Sequence, residues 1–202
     1  MMFCEEVEQK HFTVTLADRR DALIRPMNPE DPGRVARGVE LLALESRLWR
    51  FSLAPQLGDD RATHSTAVDP RGHVAWIAVS PAAHGEPGLG STQYVRLEHE
   101  PQVAELALTV ADRYLGNGLD AYLLAALYLS AIESDIETLR AIVPAENRRM
   151  MRWLFDIGAT SHFSDGFCKL DLPVRHDGLE WSQTSSARRF KRKLDELRGQ
   201  FL

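Results

Sequence analysis

A strand, a glycine turn and a helix follow one another in the middle of the chain, and this order constrains the fold more than any other feature. The strand is predicted over Val103–Val110, because apolar residues alternate there with small or polar ones. Gly116 and Gly118 interrupt the pattern. The helix is predicted over Ala121–Glu133, where nearly every position is apolar, so the helix must be buried. A strand that leads into a buried helix is typical of an α/β protein with a parallel crossover.

The glycine turn also suggests a chemistry. The first N–H groups of a helix have no acceptor within the helix and lie at the positive end of its dipole, so a phosphate can bind there. Turns of this kind are common in proteins that bind no ligand at this position. The two glycines alone therefore leave a structural role and a phosphate-binding role equally open.

Patterns on both sides of this unit extend it to a mixed sheet. Helices are predicted from Pro32 onward and over Ser46–Leu53, and the polar segment Ala54–Asp69 is interpreted as a substrate-facing loop. The fold class is thus α/β (α+β), a mixed central β-sheet flanked by helices. Short β-type runs predict the other strands, namely Phe12–Leu16, Ala22–Pro26, His73–Val79, Gly88–Leu97, Thr138–Val143, Thr160–Phe163 and Phe167–Leu172.

The last part of the chain has a different composition. Phe190, Leu194, Leu197 and Phe201 lie at helical spacing, while basic residues crowd the other faces. We therefore divide the chain into one domain over residues 1–177 and a C-terminal linker with a basic amphipathic helix over residues 178–202. This helix is expected to dock on its own domain or on a second subunit, which would make a homodimer possible. Binding of an acidic partner or of a cofactor phosphate is the alternative.

Composition narrows the class of protein. With 202 residues and 44% hydrophobic content, the chain is long enough for one buried core. A net charge of −5 argues against a nucleic-acid partner. The first residues are acidic and the longest apolar run, Ala121–Leu129, is short, so neither a secretory signal nor a membrane span is expected. Two cysteines and the absence of metal-ligand spacing predict a cytoplasmic protein without a metal.

The central residues resemble the GNAT superfamily of N-acetyltransferases, and within it the branch of bacterial protein-lysine acetyltransferases. That branch has a Glu in the strand, a Val-x-Asp before the turn, an Ala-Glu-Asn that opens the next helix, and a Gly eleven residues after that Asn. The resemblance covers Thr13–Val174, nearly the whole chain. The four matching features are Glu105, Val110 with Asp112, Asn147, and Gly158.

This resemblance implies that acetyl-CoA is the cosubstrate and that an amine, of a small molecule or of a protein lysine, is the acceptor. A lysine with a pKa of about 10.4 is almost fully protonated at pH 7, so a base must remove its proton. Glu105 is the expected base, since it lies on the polar face of the strand and matches the family's glutamate. Backbone groups of Leu108, Thr109 and Val110 are implied to bind the pantetheine arm and the oxyanion. Asn147 is implied to contact the same arm, and capping its helix is the alternative.

The family's phosphate-binding turn is changed in this sequence. Gly118 matches the family's signature, but Leu115 and Asn117 stand where polar or basic side chains are common. Asp120 adds a negative charge that a pyrophosphate would repel. Leu154 stands where many members have a tyrosine that protonates the departing CoA. An alternative function is therefore a GNAT-fold binding or regulatory module with weak or lost acetyl-CoA use. The turn comprises Leu115, Gly116, Asn117, Gly118, Leu119 and Asp120.

Overall fold

The computed structural model describes residues 10–40, 42, 72–81, 87–164, 167–174 and 182–201. Within them, four α-helices cover Pro32–Glu40 (α1), Leu119–Glu133 (α2), Arg148–Asp156 (α3) and Ser185–Phe201 (α4). The strands are Phe12–Thr15 (β1), Asp21–Pro26 (β2), His73–Val79 (β3), Gly90–Arg96 (β4), Val103–Val110 (β5), Thr138–Pro144 (β6), Thr160–Ser164 (β7) and Phe167–Pro173 (β8).

All eight strands belong to one sheet, in the spatial order β1-β2-β3-β4-β5-β6-β8-β7. Neighbouring strands are antiparallel except β5 and β6, which are parallel. Helix α2 forms the crossover between these two strands, as a parallel pair requires. The mixed sheet flanked by helices that the sequence predicts is confirmed.

Helix α2 forms the centre of the core. Its side chains from Leu119 to Ala131, apart from that of Asp120, are buried, in agreement with the sequence prediction of a helix that is apolar almost all round. The few polar groups beneath it are satisfied: Trp76 Nε1 donates to Ser130 Oγ at 3.0 Å, and the Tyr94 hydroxyl lies 2.9 Å from Ser134 Oγ. Buried polar atoms paired in this way hold the helix in one position on the sheet.

Helix α1 begins at a buried ion pair. Asp31 is fully buried, and its two carboxylate oxygens accept from the Arg25 guanidinium at 2.6 and 2.8 Å. Burial opposes ionisation of Asp31, but the hydrogen bonds from Arg25 and from the Asn28 N–H outweigh it and hold the pKa of this carboxyl below its usual value. Because Arg25 belongs to β2, the pair fixes the start of α1 against the sheet.

The predicted strand Gly88–Leu97 is shorter in the structure and begins at Gly90. Gly88 instead contacts α1: its N–H donates to Arg34 O at 3.1 Å, and a Cβ on Gly38 would lie 2.9 Å from Gly88 O. Two glycines therefore allow α1 and the chain before β4 to approach each other closely. The predicted helix Ser46–Leu53 and the predicted loop Ala54–Asp69 lie outside the described residues.

Helix α4 packs on the same core as the rest of the chain. Ala187, Phe190, Leu194 and Leu197 are buried, and the Phe190 ring contacts the edge of Tyr128 at a centroid distance of 5.9 Å. Phe190, Leu194 and Leu197 of the apolar face that the sequence offered for a homodimer are thus covered within the chain, and the oligomeric state stays a prediction. No helix in the part of the chain that the structure describes is long and apolar enough to cross a membrane.

Candidate functional site

Strands β5 and β6 separate in the middle of the sheet. They pair over four positions only, from Val103 opposite Thr138 to Leu106 opposite Ala141. Beyond these positions β5 continues to Val110 beside β4, while β6 continues to Pro144 beside β8. The two strands therefore enclose an opening, which we call the wedge. An extended ligand that enters the wedge can form hydrogen bonds to the strand backbone as an added strand would.

The backbone of β5 alternates between the two edges of the strand. Val103 O and Ala111 N–H bond to the β4 side, whereas Gln102 O accepts from the N–H groups at the start of β6. Since backbone groups alternate in direction along a strand, the N–H and C=O groups of Leu108 and Val110 point into the wedge.

Thr109 carries its backbone groups on the other edge, toward β4. Its carbonyl oxygen would lie 2.8 Å from a Cβ on Gly90, so the glycine permits β4 to approach here. The structure thus brings all three predicted residues to the wedge but directs the backbone of only two of them into it. Their binding role stays a prediction.

Glu105 lies on β5 at the closed end of the wedge, between Val95 and Arg140 in the sheet. Burial raises the pKa of its carboxyl, and the positive charges of Lys169 and Arg140 oppose that rise only in part. Arg140 is itself bound to Asp171 at 2.8 Å and to Glu100 at 2.7 Å. A half-buried carboxyl with a raised pKa is suited to accept a proton near neutral pH.

The glycine turn lies at the beginning of α2. Gly116 has φ 82° and Gly118 has φ 88°, and a Cβ at either position would meet no atom within 4 Å. The left-handed backbone, and not a lack of space, therefore requires glycine here. Tyr122 N–H donates to Gly118 O at 3.1 Å, which closes the first helical turn.

The N–H groups of this turn are available to an anion. Within the described residues, those of Gly118, Leu119 and Asp120 donate to no protein acceptor. The next one, of Ala121, donates to Asp120 Oδ1 at 2.9 Å. The turn thus keeps the donors expected of a phosphate site, and the predicted negative charge of Asp120 lies among them.

Asn147 caps helix α3. Its Oδ1 accepts from Met150 N–H at 3.2 Å, so the capping role considered from the sequence is confirmed. The cap uses the oxygen of the side-chain amide, and none of the described residues accepts a hydrogen bond from its NH₂ group. The structure is therefore compatible with both expected roles at once.

The tyrosines near the turn are occupied by other contacts. The Tyr122 hydroxyl donates to Glu196 Oε1 at 2.8 Å and accepts from Lys193, both on α4, and burial raises its pKa strongly. Tyr114 is buried beneath the guanidinium of Arg20 at 4.3 Å. Leu154 is buried in the core. No group of metal-binding side chains occurs among the residues that the structure describes.

Sequence reasoning missed the charged neighbours of Glu105 and the contacts of Asn117. Arg140 and Lys169 come from β6 and β8, and Asp18, which binds Asn117, comes from the β1–β2 turn. Strand pairing brings the first two residues to Glu105, and contact between two turns brings Asp18 to Asn117, so no local sequence pattern encodes either arrangement.

Known proteins share this geometry. No family model matches the chain. It is 28% identical over 136 residues to acetyltransferase Pat of Mycolicibacterium smegmatis, covering 67% of this chain and 40% of that protein. It is 30% identical over 149 residues to an acetyltransferase of Pseudomonas aeruginosa, covering 71% of this chain and 77% of that protein. The GNAT domain of S. lividans PAT has a TM-score of 0.69 at 26% identity, covering 81% of this chain and 96% of that domain.

A mixed sheet that opens between two parallel strands beside a glycine turn defines the acyltransferase class to which these relatives belong. The chain belongs to the GNAT superfamily of N-acetyltransferases and is close to its Pat branch. The resemblance found in the sequence is confirmed, and it supports an acyltransferase activity. The chain spans 40% of the length of the Mycolicibacterium relative, so the activity of a whole protein of that kind is not transferred to it.

Proposed function

We propose that the chain is an N-acetyltransferase that transfers an acetyl group from acetyl-CoA to an amine, either of a small molecule or of a protein lysine. The observation that carries this proposal is the position of Glu105, a half-buried carboxyl with a raised pKa on the strand that lines the wedge. A proton acceptor and an opening for an extended thioester thus occur together.

The residues present fit acetyl-CoA. Backbone groups of Leu108 and Val110 would bind the pantetheine arm, because they point into the wedge and lack a β6 partner. The N–H groups of Gly118, Leu119 and Asp120 would bind the pyrophosphate, and the Asn147 amide would donate to the arm. Bound acetyl-CoA supplies the activated acyl group, and the protein positions it.

Glu105 would take the proton that the amine must lose. The neutral nitrogen would then form a bond to the acyl carbon while the bond from that carbon to sulfur breaks, and CoA would depart as a thiolate. The thiolate would take up the second proton, which the acylated nitrogen must lose to form the amide. A thiolate is stable enough to depart without an acid, which is consistent with Leu154 in place of a tyrosine. Omission of such an acid costs at most about 10²–10⁴ in rate.

A second candidate is a GNAT-fold binding or regulatory module. The observation in its favour is Asp120, whose carboxylate accepts from Ala121 N–H at the place where a pyrophosphate would bind. In such a module the fold and the acceptor site would remain while acetyl-CoA binding is weak or absent.

Calorimetric titration with acetyl-CoA separates the two candidates. The enzyme requires saturable binding, and acetylation of free lysine or of lysine peptides should then be detectable by mass spectrometry. Absence of binding at millimolar acetyl-CoA would reject the enzyme and favour the module. Transfer to free lysine but not to peptides would identify a small-molecule acceptor.

A further inference from the structure

Two hydrogen bonds join the β1–β2 turn to the glycine turn. Asn117 Nδ2 donates to Asp18 Oδ2 at 2.7 Å, across 99 positions of the chain. Ala17 N–H donates to Asn117 O at 3.1 Å. Both the side chain and the backbone of Asn117 are therefore held by the tip of the N-terminal hairpin.

Asn117 lies at the point where the glycine turn most needs support. It stands between Gly116 and Gly118, the two residues with left-handed φ values. Glycine has more conformational freedom than any other residue, so a segment with two of them is costly to order. A residue that is fixed between them restricts both at once.

The hairpin that holds Asn117 is itself well braced. Asp18 accepts from Arg20 Nε at 2.7 Å and from Arg20 N–H at 3.1 Å, and this pairing holds the pKa of Asp18 below its usual value. The Arg20 guanidinium also lies 4.3 Å from the centre of the Tyr114 ring, and it donates to Arg113 O at 3.4 Å. Arg20 thus connects the hairpin to the residues just before the glycine turn.

We propose that Asp18 and Asn117 are positioning residues for the cofactor: they hold the glycine turn in the shape that binds the phosphates of acetyl-CoA. This inference rests on the proposed function. It gives Asn117 a role different from that of the basic side chain that the family resemblance implies at this position. A turn that is already ordered loses less conformational entropy when the ligand binds. The affinity for acetyl-CoA is therefore higher, although neither side chain contacts the ligand.

Three variants and a matched control test the proposal. Asn117→Ala and Asp18→Ala each remove the side-chain bond, and Asp18→Asn keeps an acceptor for Asn117 while it removes the ion pair with Arg20. Thr15→Ala is the control, since it removes a hydrogen bond to Asp21 within the same hairpin that does not reach the glycine turn. Each protein is assayed for KM and kcat, and for amide hydrogen exchange without acetyl-CoA.

We expect Asn117→Ala and Asp18→Ala to raise the KM for acetyl-CoA about 3- to 10-fold, the usual effect of one hydrogen bond, with kcat and the KM for the amine unchanged. Exchange of the Asn117 and Tyr122 amides, which donate to Tyr114 O and Gly118 O, should become faster. Asp18→Asn should stay near the wild type, as should Thr15→Ala. If the bond between Asn117 and Asp18 only stabilised the fold, its loss would not raise the KM for acetyl-CoA while leaving the KM for the amine unchanged.

Unchanged exchange at the turn in both alanine variants would overturn the proposal, and so would faster exchange with an unchanged KM for acetyl-CoA. If Asp18→Asn behaved like Asp18→Ala, the Arg20 ion pair and not Asn117 would hold the turn. Failure of the wild type to bind acetyl-CoA would reject the proposed function instead, and the exchange rates would still show whether the hairpin orders the turn.

Discussion

Glu105 lies directly opposite Arg140 in the parallel pairing of β5 and β6, one position before the two strands separate. Arg140 is held in turn by Asp171 and Glu100, so it does not depend on Glu105 for its partners. The carboxyl of Glu105 therefore lies beside a fixed positive charge at the closed end of the wedge. This arrangement limits how far burial can raise its pKa.

Replacement of this carboxyl should abolish most of the activity. We expect Glu105→Gln to lower kcat by about 10²-fold or more, because the amide has no site for the amine proton. The affinity for acetyl-CoA should change little, as measured by calorimetry. Glu137→Gln is the control, since Glu137 is exposed just before β6. Full activity of Glu105→Gln would remove Glu105 from the role of base.

Lys169 should set the pH dependence of the reaction. Its positive charge lowers the pKa of Glu105, so Lys169→Met should let that pKa rise further. Because the base acts as the carboxylate, the acidic limb of kcat/KM should move to higher pH and activity should recover in alkaline buffer. Lys191→Met, which removes an exposed lysine of α4, should leave the profile in place. If the pH profile of Lys169→Met did not move, Glu105 would not be the base that sets the acidic limb.

The charge of Asp120 should weaken cofactor binding. Asp120→Asn keeps an oxygen for Ala121 N–H and removes the charge. We expect acetyl-CoA to bind about 2- to 5-fold more tightly, which corresponds to the ~0.3–1 kcal/mol of a charge at a helix end. The gain should shrink with added salt. Asp195→Asn on α4 serves as the control, and unchanged or weaker binding in Asp120→Asn would refute the repulsion.

Asn147 should show two separable roles. Asn147→Ala loses the cap and should cost about 1 kcal/mol of unfolding free energy in urea titrations. Asn147→Asp keeps an oxygen acceptor for Met150 N–H but has no NH₂ group, so its stability should be close to that of the wild type. If the amide also contacts the cofactor, both variants should raise the KM for acetyl-CoA. An unchanged KM in Asn147→Asp would leave Asn147 with the capping role alone.

The ion pair at the start of α1 should carry much of the acid sensitivity of the fold. The pKa of Asp31 is lowered in the folded state, so its stabilisation is present above the unfolded pKa, about 3.9, and is lost as the pH falls through the folded value. At pH 7, Asp31→Asn should cost up to about 3 kcal/mol, because Arg25 loses its charged partner. The difference from the wild type should shrink toward pH 3, whereas Glu30→Gln should show little difference at any pH.

The features that sequence reasoning predicted are those that local patterns encode. Alternation along Val103–Val110 and the all-apolar α2 gave the strand, the crossover and the polar face of Glu105 correctly. The same alternation assigns side chains to faces but does not tell which edge of a strand each backbone group serves. Leu108 and Val110 therefore could not be distinguished from Thr109 in advance.

Contacts between distant segments were beyond the reach of such patterns. From the sequence, Asn117 could be interpreted only as the replacement of a basic residue. Its partner Asp18 lies 99 positions away, so no local pattern could reveal the hydrogen bond between them. The neighbours of Glu105 depend on the register of β6 and β8 against β5, which packing of whole strands decides. The C-terminal helix had two open interpretations for the same reason, since its apolar face is equally suited to its own core and to a second chain.

The docking of α4 on α2 has a consequence for how the protein is made. Phe190, Leu194 and Leu197 cover the most apolar of the described helices, and they follow all the described strands in the sequence. Until α4 has left the ribosome, Tyr122 and Tyr128 lack their partners on that helix. The apolar surface that α4 covers in the folded protein is exposed to solvent during this time. The growing chain is therefore exposed to premature association and to chaperones until synthesis has passed this helix.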